Sequence, residues 1–409
     1  MKAKQLTFIV LLALVLGGAG LLITRQREAS YQTSGGGLGG KVLPEFPLND
    51  VAGVVINDGT NTLHLKKQDG VWKLEERYGY PADYADLSTF LREVWELKAV
   101  QSEKASAADR KRLQLVEPGE GVESAGTLVS FSGTDGKPVA KLILGKQKMR
   151  KSATPSQFGE DSWPDGRWVY VAGAGDDVAL VDKAFTNIKT EADQWIDKEF
   201  FKVEKLQSAE VTHPEATNSW KIVREVEAGE LKLADTVEGE VLDTGKAAPV
   251  GNLLSWPSFI DVADPALDVS VTGVGSGVVA KLSTFEGFTY ILNLGSAVGT
   301  NDNYYVQVNV AADFPAEREA PEGESAEDKE RLDKEFKEKT EKLQEKLKKE
   351  QKLDGWTYIV SKWTVENLLK SRADFLKVEE PAAEGDARAD AGGLPDPSIP
   401  PLPPALDFQ

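Results

Sequence analysis

The chain has no cysteine among its 409 residues. That excludes disulfides, thiolate nucleophiles, cysteine-held metals and a lipid attached to cysteine. Histidine is almost as scarce: only His64 and His213 occur. They fall on different predicted strands in different halves, so neither a zinc cage nor a Ser-His-Asp triad has its members. No Gly-x-Ser-x-Gly elbow surrounds any serine. Positive charge is outweighed, with 48 Lys and Arg against 66 Asp and Glu and a net charge of −18. Such a balance argues against nucleic acid and against an anionic membrane surface as partners. A phosphate loop is lacking too. The run 239–246 has five residues between its glycines, and Ala247 follows Lys246 where Ser or Thr would hold magnesium. The glycine run 273–277 reads as a turn.

One long apolar run stands out. Residues 6–23 carry no charge, and that length is just enough to cross a bilayer as a helix. Lys2 and Lys4 precede it, Arg25 and Arg27 follow it, and the glycines near its end are tolerated in membrane helices. A cleaved signal peptide and a buried helix of a soluble fold compete with this reading. The expectation is an uncleaved single-pass anchor with the bulk of the chain outside. Residues 25–45 form a glycine-rich linker.

From residue 51 the pattern is that of an α+β fold. Short alternating runs are punctuated by Asn57-Asp58-Gly59, Asp69-Gly70 and Asp135-Gly136, which read as turns between strands. Pro81-Ala82-Asp83 opens a helix in which Leu87, Phe90, Leu91, Val94 and Leu97 recur at helical spacing. A short helix is expected over 104–115, a hairpin over 168–181, and a further helix over 183–200. The order of patterns then begins again. Ser219-Trp220-Lys221-Ile222 parallels Val71-Trp72-Lys73-Leu74, and Leu292-Asn293-Leu294-Gly295 parallels Leu142-Ile143-Leu144-Gly145. A short helix over 250–256 takes the place of the helix that opens at Asp83. We expect two tandem units, 46–201 and 202–377, each a mostly antiparallel sheet with helices on one face.

The second unit carries an insertion at 315–353. Its core, 327–352, is dense in Glu, Lys, Leu and Gln, and as a helix it would reach about 39 Å. Leu332, Phe336, Leu343 and Leu347 fall on one narrow stripe, a candidate seam for a partner helix of coiled-coil type. Glu330–Lys334, Glu335–Lys339, Glu338–Lys342 and Glu345–Lys349 have the favourable four-residue orientation. The tail 378–409 is acidic and ends in a proline-rich run over 395–404, which reads as disordered with polyproline II character.

No catalytic, cofactor-binding or metal-ligating constellation emerges, and the chain is read as no enzyme. A carboxylate pair of the glycosidase kind stays open because acidic residues are plentiful. Trp163, Trp168, Tyr304 and Tyr305 have two readings, a surface for an envelope glycan or peptide and core packing. Trp72 and Trp220 read as core anchors at matched positions.

The anchor, the run Asp69-Gly70-Val71-Trp72-Lys73-Leu74, the helix opening Pro81-Ala82-Asp83, and the pairs Leu144-Gly145 and Tyr170-Val171 together resemble the bacterial domain-of-unknown-function family 4340. The resemblance runs from the anchor to about Phe201 and, in degenerate form, through the second unit. Leu113-Gln114-Leu115 before Pro118 departs from the Tyr-Gly-Leu that members often show there. Members commonly occur beside ABC-transporter components of the gliding-motility type. The resemblance therefore implies a non-catalytic accessory or scaffold at the bacterial inner membrane, with protein partners in a transporter complex and no site residues to carry over.

Overall fold

A computed structural model describes residues 39–119, 121–151, 162–300, 302–320 and 323–377. The apolar run 6–23, most of the linker and the tail 378–409 lie outside these. Among the described residues no helix is long and apolar enough to cross a membrane.

Two antiparallel sheets hold all the strands of the described residues. The first contains β1 (Val51–Asn57), β2 (Thr62–Gln68), β3 (Val71–Leu74), β4 (Tyr80–Pro81), β5 (Ala99–Lys104), β6 (Thr127–Gly133), β7 (Pro138–Lys151), β8 (Ser162–Val171) and β9 (Asp177–Val181). Their order in space is β4-β3-β2-β1-β6-β7-β8-β9-β5. Local chemistry explains the first hairpins. At the β1–β2 turn the Asn57 and Asp58 carboxamide and carboxylate oxygens accept from the N–H groups of Gly59, Thr60 and Asn61. Between β2 and β3 the two-residue turn Asp69-Gly70 has both φ angles positive, as the tight hairpin requires.

The second sheet contains β10 (Leu206–Thr212), β11 (Trp220–Val223), β12 (Lys232–Leu233), β13 (Asp261–Val262), β14 (Val278–Thr284), β15 (Phe288–Ala297), β16 (Asn303–Ala312) and β17 (Thr357–Ser361). Its order is β12-β11-β10-β14-β15-β16-β17-β13. Both sheets thus place their opening strand between its hairpin partner and a long meander. Both close on a strand that comes from the middle of the sequence, β5 or β13. The register also shows that Trp72 and Trp220 do not correspond. Val211 faces Trp220 on β11, as Ile56 faces Leu63 on β2, whereas Trp72 lies one strand further out on β3. Both tryptophans are nevertheless buried.

Helix Tyr84–Glu96 begins where the sequence indicates. The Asp83 carboxylate accepts from the Asp86 N–H, and Leu87, Phe90, Leu91 and Val94 face the core. The expected 104–115 helix shortens to Ala107–Arg112, because the residues before it form the edge strand β5. The helix expected over 250–256 lies earlier in the chain, as a turn of helix, Thr244–Ala247, running into a 3-10 stretch, Ala248–Asn252. The helix expected over 183–200 is absent. Its apolar residues Phe185, Ile188, Ala192, Trp195 and Ile196 are buried, but its backbone bonds elsewhere. The Trp195 carbonyl accepts from Asp83, the Asp197 N–H donates to Pro81, and Ile196 bridges to Ala82. Phe185 has a positive φ, which a helix does not admit.

One continuous hydrophobic core joins both sheets, with Phe201 and Val203 of the connecting segment inside it. Tyr80, on the outermost strand of the first sheet, reaches into the aromatic side chains of the second unit. Its ring lies 4.9 Å from that of Trp356 and 6.0 Å from that of Phe259, both edge-on. Phe200 and Phe259 in turn pack on Tyr358 at 4.8 and 5.0 Å. Arg77 closes the same junction with a 2.6 Å ion pair to Asp261.

Candidate functional site at the junction of the two sheets

The long inserted helix is Ala326–Glu350, started by Ser325, whose hydroxyl accepts from the Asp328 N–H. It rises from the loop between β16 and β17 and lies along the second sheet towards the junction. Its apolar stripe is divided. Leu343 and Leu347 pack against the main core. Leu332 and Phe336 are half-buried, and Phe336 borders an open cleft of about 740 Å³ between the helix and residues 316–320. Glu350 extends the stripe to its buried end. From Leu332 to Glu350 is 18 residues, five turns of a straight helix, and that period suits packing on the body better than a supercoiled seam.

The four Glu-to-Lys pairs expected along the helix do not form. Lys339 reaches Glu286 at 3.8 Å, Lys349 reaches Glu199 at 4.0 Å, and Lys346 bonds Glu204 at 2.9 Å. Acids of the body thus take Lys339 and Lys349, which the local pattern assigns to the helix itself, while Lys346 also meets Glu350 of the helix at 3.9 Å. Lys334 turns to Glu338, and Arg331 binds Asp328 and Glu335. The local preference is only about 0.3–0.5 kcal/mol per pair, so a modest tertiary contact overrides it.

At the junction the helix end, the connecting segment and the β3–β4 edge enclose a cleft of about 770 Å³. That volume suits a small ligand or a short peptide segment. Its floor is apolar, with Val71, Tyr80, Pro81, Phe200 and Leu353. Six lysines line it: Lys73, Lys202, Lys342, Lys346, Lys349 and Lys352. Five acids accompany them: Asp197, Glu199, Glu204, Glu345 and Glu350. In a chain with more acids than bases, this local balance is inverted.

The chemistry of the cleft wall is mostly spent on holding the helix. Glu350 accepts from the Tyr290 hydroxyl at 2.9 Å and from the Lys202 N–H at 2.9 Å. The Lys202 carbonyl accepts from Lys346 and from Tyr290. Burial pushes the Glu350 carboxyl above its ordinary range and pushes both Tyr290 and Tyr358 up. Tyr80 is raised to about 12 by burial. Hydrogen bonds from Lys202 and Lys346 hold Glu204 low, while burial raises Asp197. These shifts follow from packing and from the hydrogen bonds just described.

The remaining candidates are dispersed. His64 on β2 binds Glu76 at 2.6 Å, and His213, just past the end of β10, meets the Lys370 carbonyl at 3.0 Å. Among the described residues no group of three His, Asp or Glu side chains could hold a metal. Trp163 and Trp168 lie on β8, Tyr304 and Tyr305 on β16, so these four build no common surface. Tyr305 is buried and Trp168 packs on a small cluster with Leu113 and Ile143. Lys246 donates to the Leu376 carbonyl, and Asp243 caps the turn before it. In the 273–277 run, a Cβ on Gly277 would come within 2.0 Å of the Leu294 carbonyl, so the turn needs glycine for close packing.

Residues 72–270, just under half of the chain, match the model of the family described as domain of unknown function DUF4340, and this supports that domain family. The matched segment begins later than the motifs at the anchor. It continues past Phe201, across the junction and into the second sheet. No curated protein and no solved structure matches the chain.

Proposed function

Starting from that family match over residues 72–270, we propose that the chain is a membrane-anchored extracytoplasmic accessory or scaffold protein of an ABC-transporter complex, without catalysis of its own. In this reading residues 6–23 are a single-pass helix in the bacterial inner membrane, and the glycine-rich linker spaces the body from it. The two sheets are tandem repeats of one unit, a reading supported by their shared strand order. The observation that carries the proposal is the junction. Titratable groups gathered there bond to one another and to backbone, and they fasten two sheets and a long helix into one piece. Rigid joining of this kind serves a spacer or docking platform better than it serves bond chemistry. The half of the inserted helix that carries Leu332 and Phe336 is the surface offered to a partner. Purification of the full chain from gently solubilised membranes is expected to recover an ATPase and a permease subunit. Recovery of neither would overturn the proposal.

A further inference from the structure

We propose that the junction cleft binds an acidic, proline-rich peptide segment, and that its occupant is this chain's own tail, residues 395–409. The inference does not depend on the transporter reading. Three of the lining lysines, Lys73, Lys342 and Lys352, form no ion pair among the described residues. Most of the acids there are already engaged: Glu204 by Lys202 and Lys346, Glu199 by Lys349, Glu350 by Tyr290 and the Lys202 N–H. The cleft thus combines an apolar, partly aromatic lining with three unpaired lysines against two acids, Asp197 and Glu345, that form no ion pair among the described residues. Such a surface takes an extended segment that alternates apolar residues with carboxylates.

The tail has that composition. Residues 378–409 hold seven acidic side chains and one basic. Within 395–409, Ile399, Leu402, Leu406 and Phe408 stand among six prolines, with Asp396 and Asp407 near the two ends. Proline lowers the entropy lost when such a segment is held extended. The reach is sufficient. The body ends at Lys377, whose N–H donates to Val241, next to Phe375 packed on Trp220 of β11. Phe375, Leu343 and Leu347 belong to one core cluster, and Tyr290 of β15 bonds Glu350 at the cleft. Three strand spacings separate β11 from β15, roughly 15 Å. Residues 378–394 span up to about 56 Å when extended. A tethered segment sees its site at millimolar effective concentration, so a weak intrinsic affinity is enough for occupancy.

The absence of cysteine makes the test direct. In the full chain in detergent micelles, Ser398→Cys is combined with Glu345→Cys at the cleft rim, a position that leaves the unpaired lysines in place. A control combines it with Lys281→Cys, exposed on the other face of β14, two strand positions from β11. We expect the intramolecular disulfide to form about tenfold faster with the Glu345 position, in line with local concentration at a bound site. Adding Lys73→Gln and Lys352→Gln, or raising the salt concentration, should bring the rate down towards that of the control. Equal rates at the two positions would overturn the proposal and leave the cleft to an external ligand. Disulfides formed chiefly between two molecules would overturn it in favour of a second copy.

Discussion

Glu350 and Glu240 are carboxylates held in opposite ways. Glu350 is buried against Tyr290, and burial keeps its carboxyl above the ordinary 4.5. The native state holds that proton more tightly than the unfolded chain. Its contribution to stability is therefore full below pH 4.5 and is lost as the pH rises through the folded value. Glu240 is gripped by the Arg372 guanidinium, with contacts of 2.6 to 3.2 Å, and its carboxyl falls to about 2. Its contribution is present above pH 4.5 and is lost as the pH falls through about 2. Urea denaturation over a pH series separates the two. Glu350→Gln should flatten the decline in stability from pH 4.5 towards neutral. Glu240→Gln should remove part of the loss on the acid side. A profile unchanged in both variants would contradict these assignments. Sequence shows neither environment, since Glu240 and Arg372 lie 132 positions apart.

The inserted helix is the element most legible beforehand. Its composition and its apolar stripe are both local, and the helix runs from Ala326 to Glu350, close to the 327–352 pattern. Which part of the stripe docks was not legible, because Leu332 and Leu347 look alike in sequence and differ only in what lies opposite. Leu347→Ala removes half-buried contact with the main core and should cost about 1–2 kcal/mol, below the range for a fully buried leucine. Phe336→Ala, at the edge of an open cleft, should cost less than about 1 kcal/mol. Urea midpoints compare the two directly, and equal losses would mean that the whole stripe docks alike. The 183–200 segment makes the converse point. Its apolar residues recur near helical spacing, yet Pro81, Ala82 and Asp83 take its backbone hydrogen bonds. Periodicity reports which side chains are buried and leaves open how the backbone between them is satisfied.

At the scale of the whole molecule, the decisive feature is the joining of two sheets through Tyr80, Phe200, Phe259 and Tyr358. Tyr80 belongs to a two-residue edge strand that no alternation pattern marks, and its aromatic partners come from the other unit. Tyr80→Ala should cost about 3 kcal/mol through lost aromatic packing. It should also split thermal unfolding into two transitions, one for each sheet. Calorimetry with tryptophan fluorescence would show this, and a single coincident transition in the variant would count against the junction as the coupling element.

Sequence alone determined the α+β class, the hairpin turns, the helix that opens at Asp83, the inserted helix and the lack of cysteine. Each of these rests on a residue's own chemistry or on neighbours within about four positions. Only the tertiary structure decided the closing strands β5 and β13, the non-helical path of 183–200, the partners of the helix lysines and the cleft at the junction. Their partners lie from tens of residues to more than a hundred away. Each such contact contributes as much as the local preferences it opposes, so the assembled fold, and not the nearby sequence, selects among them.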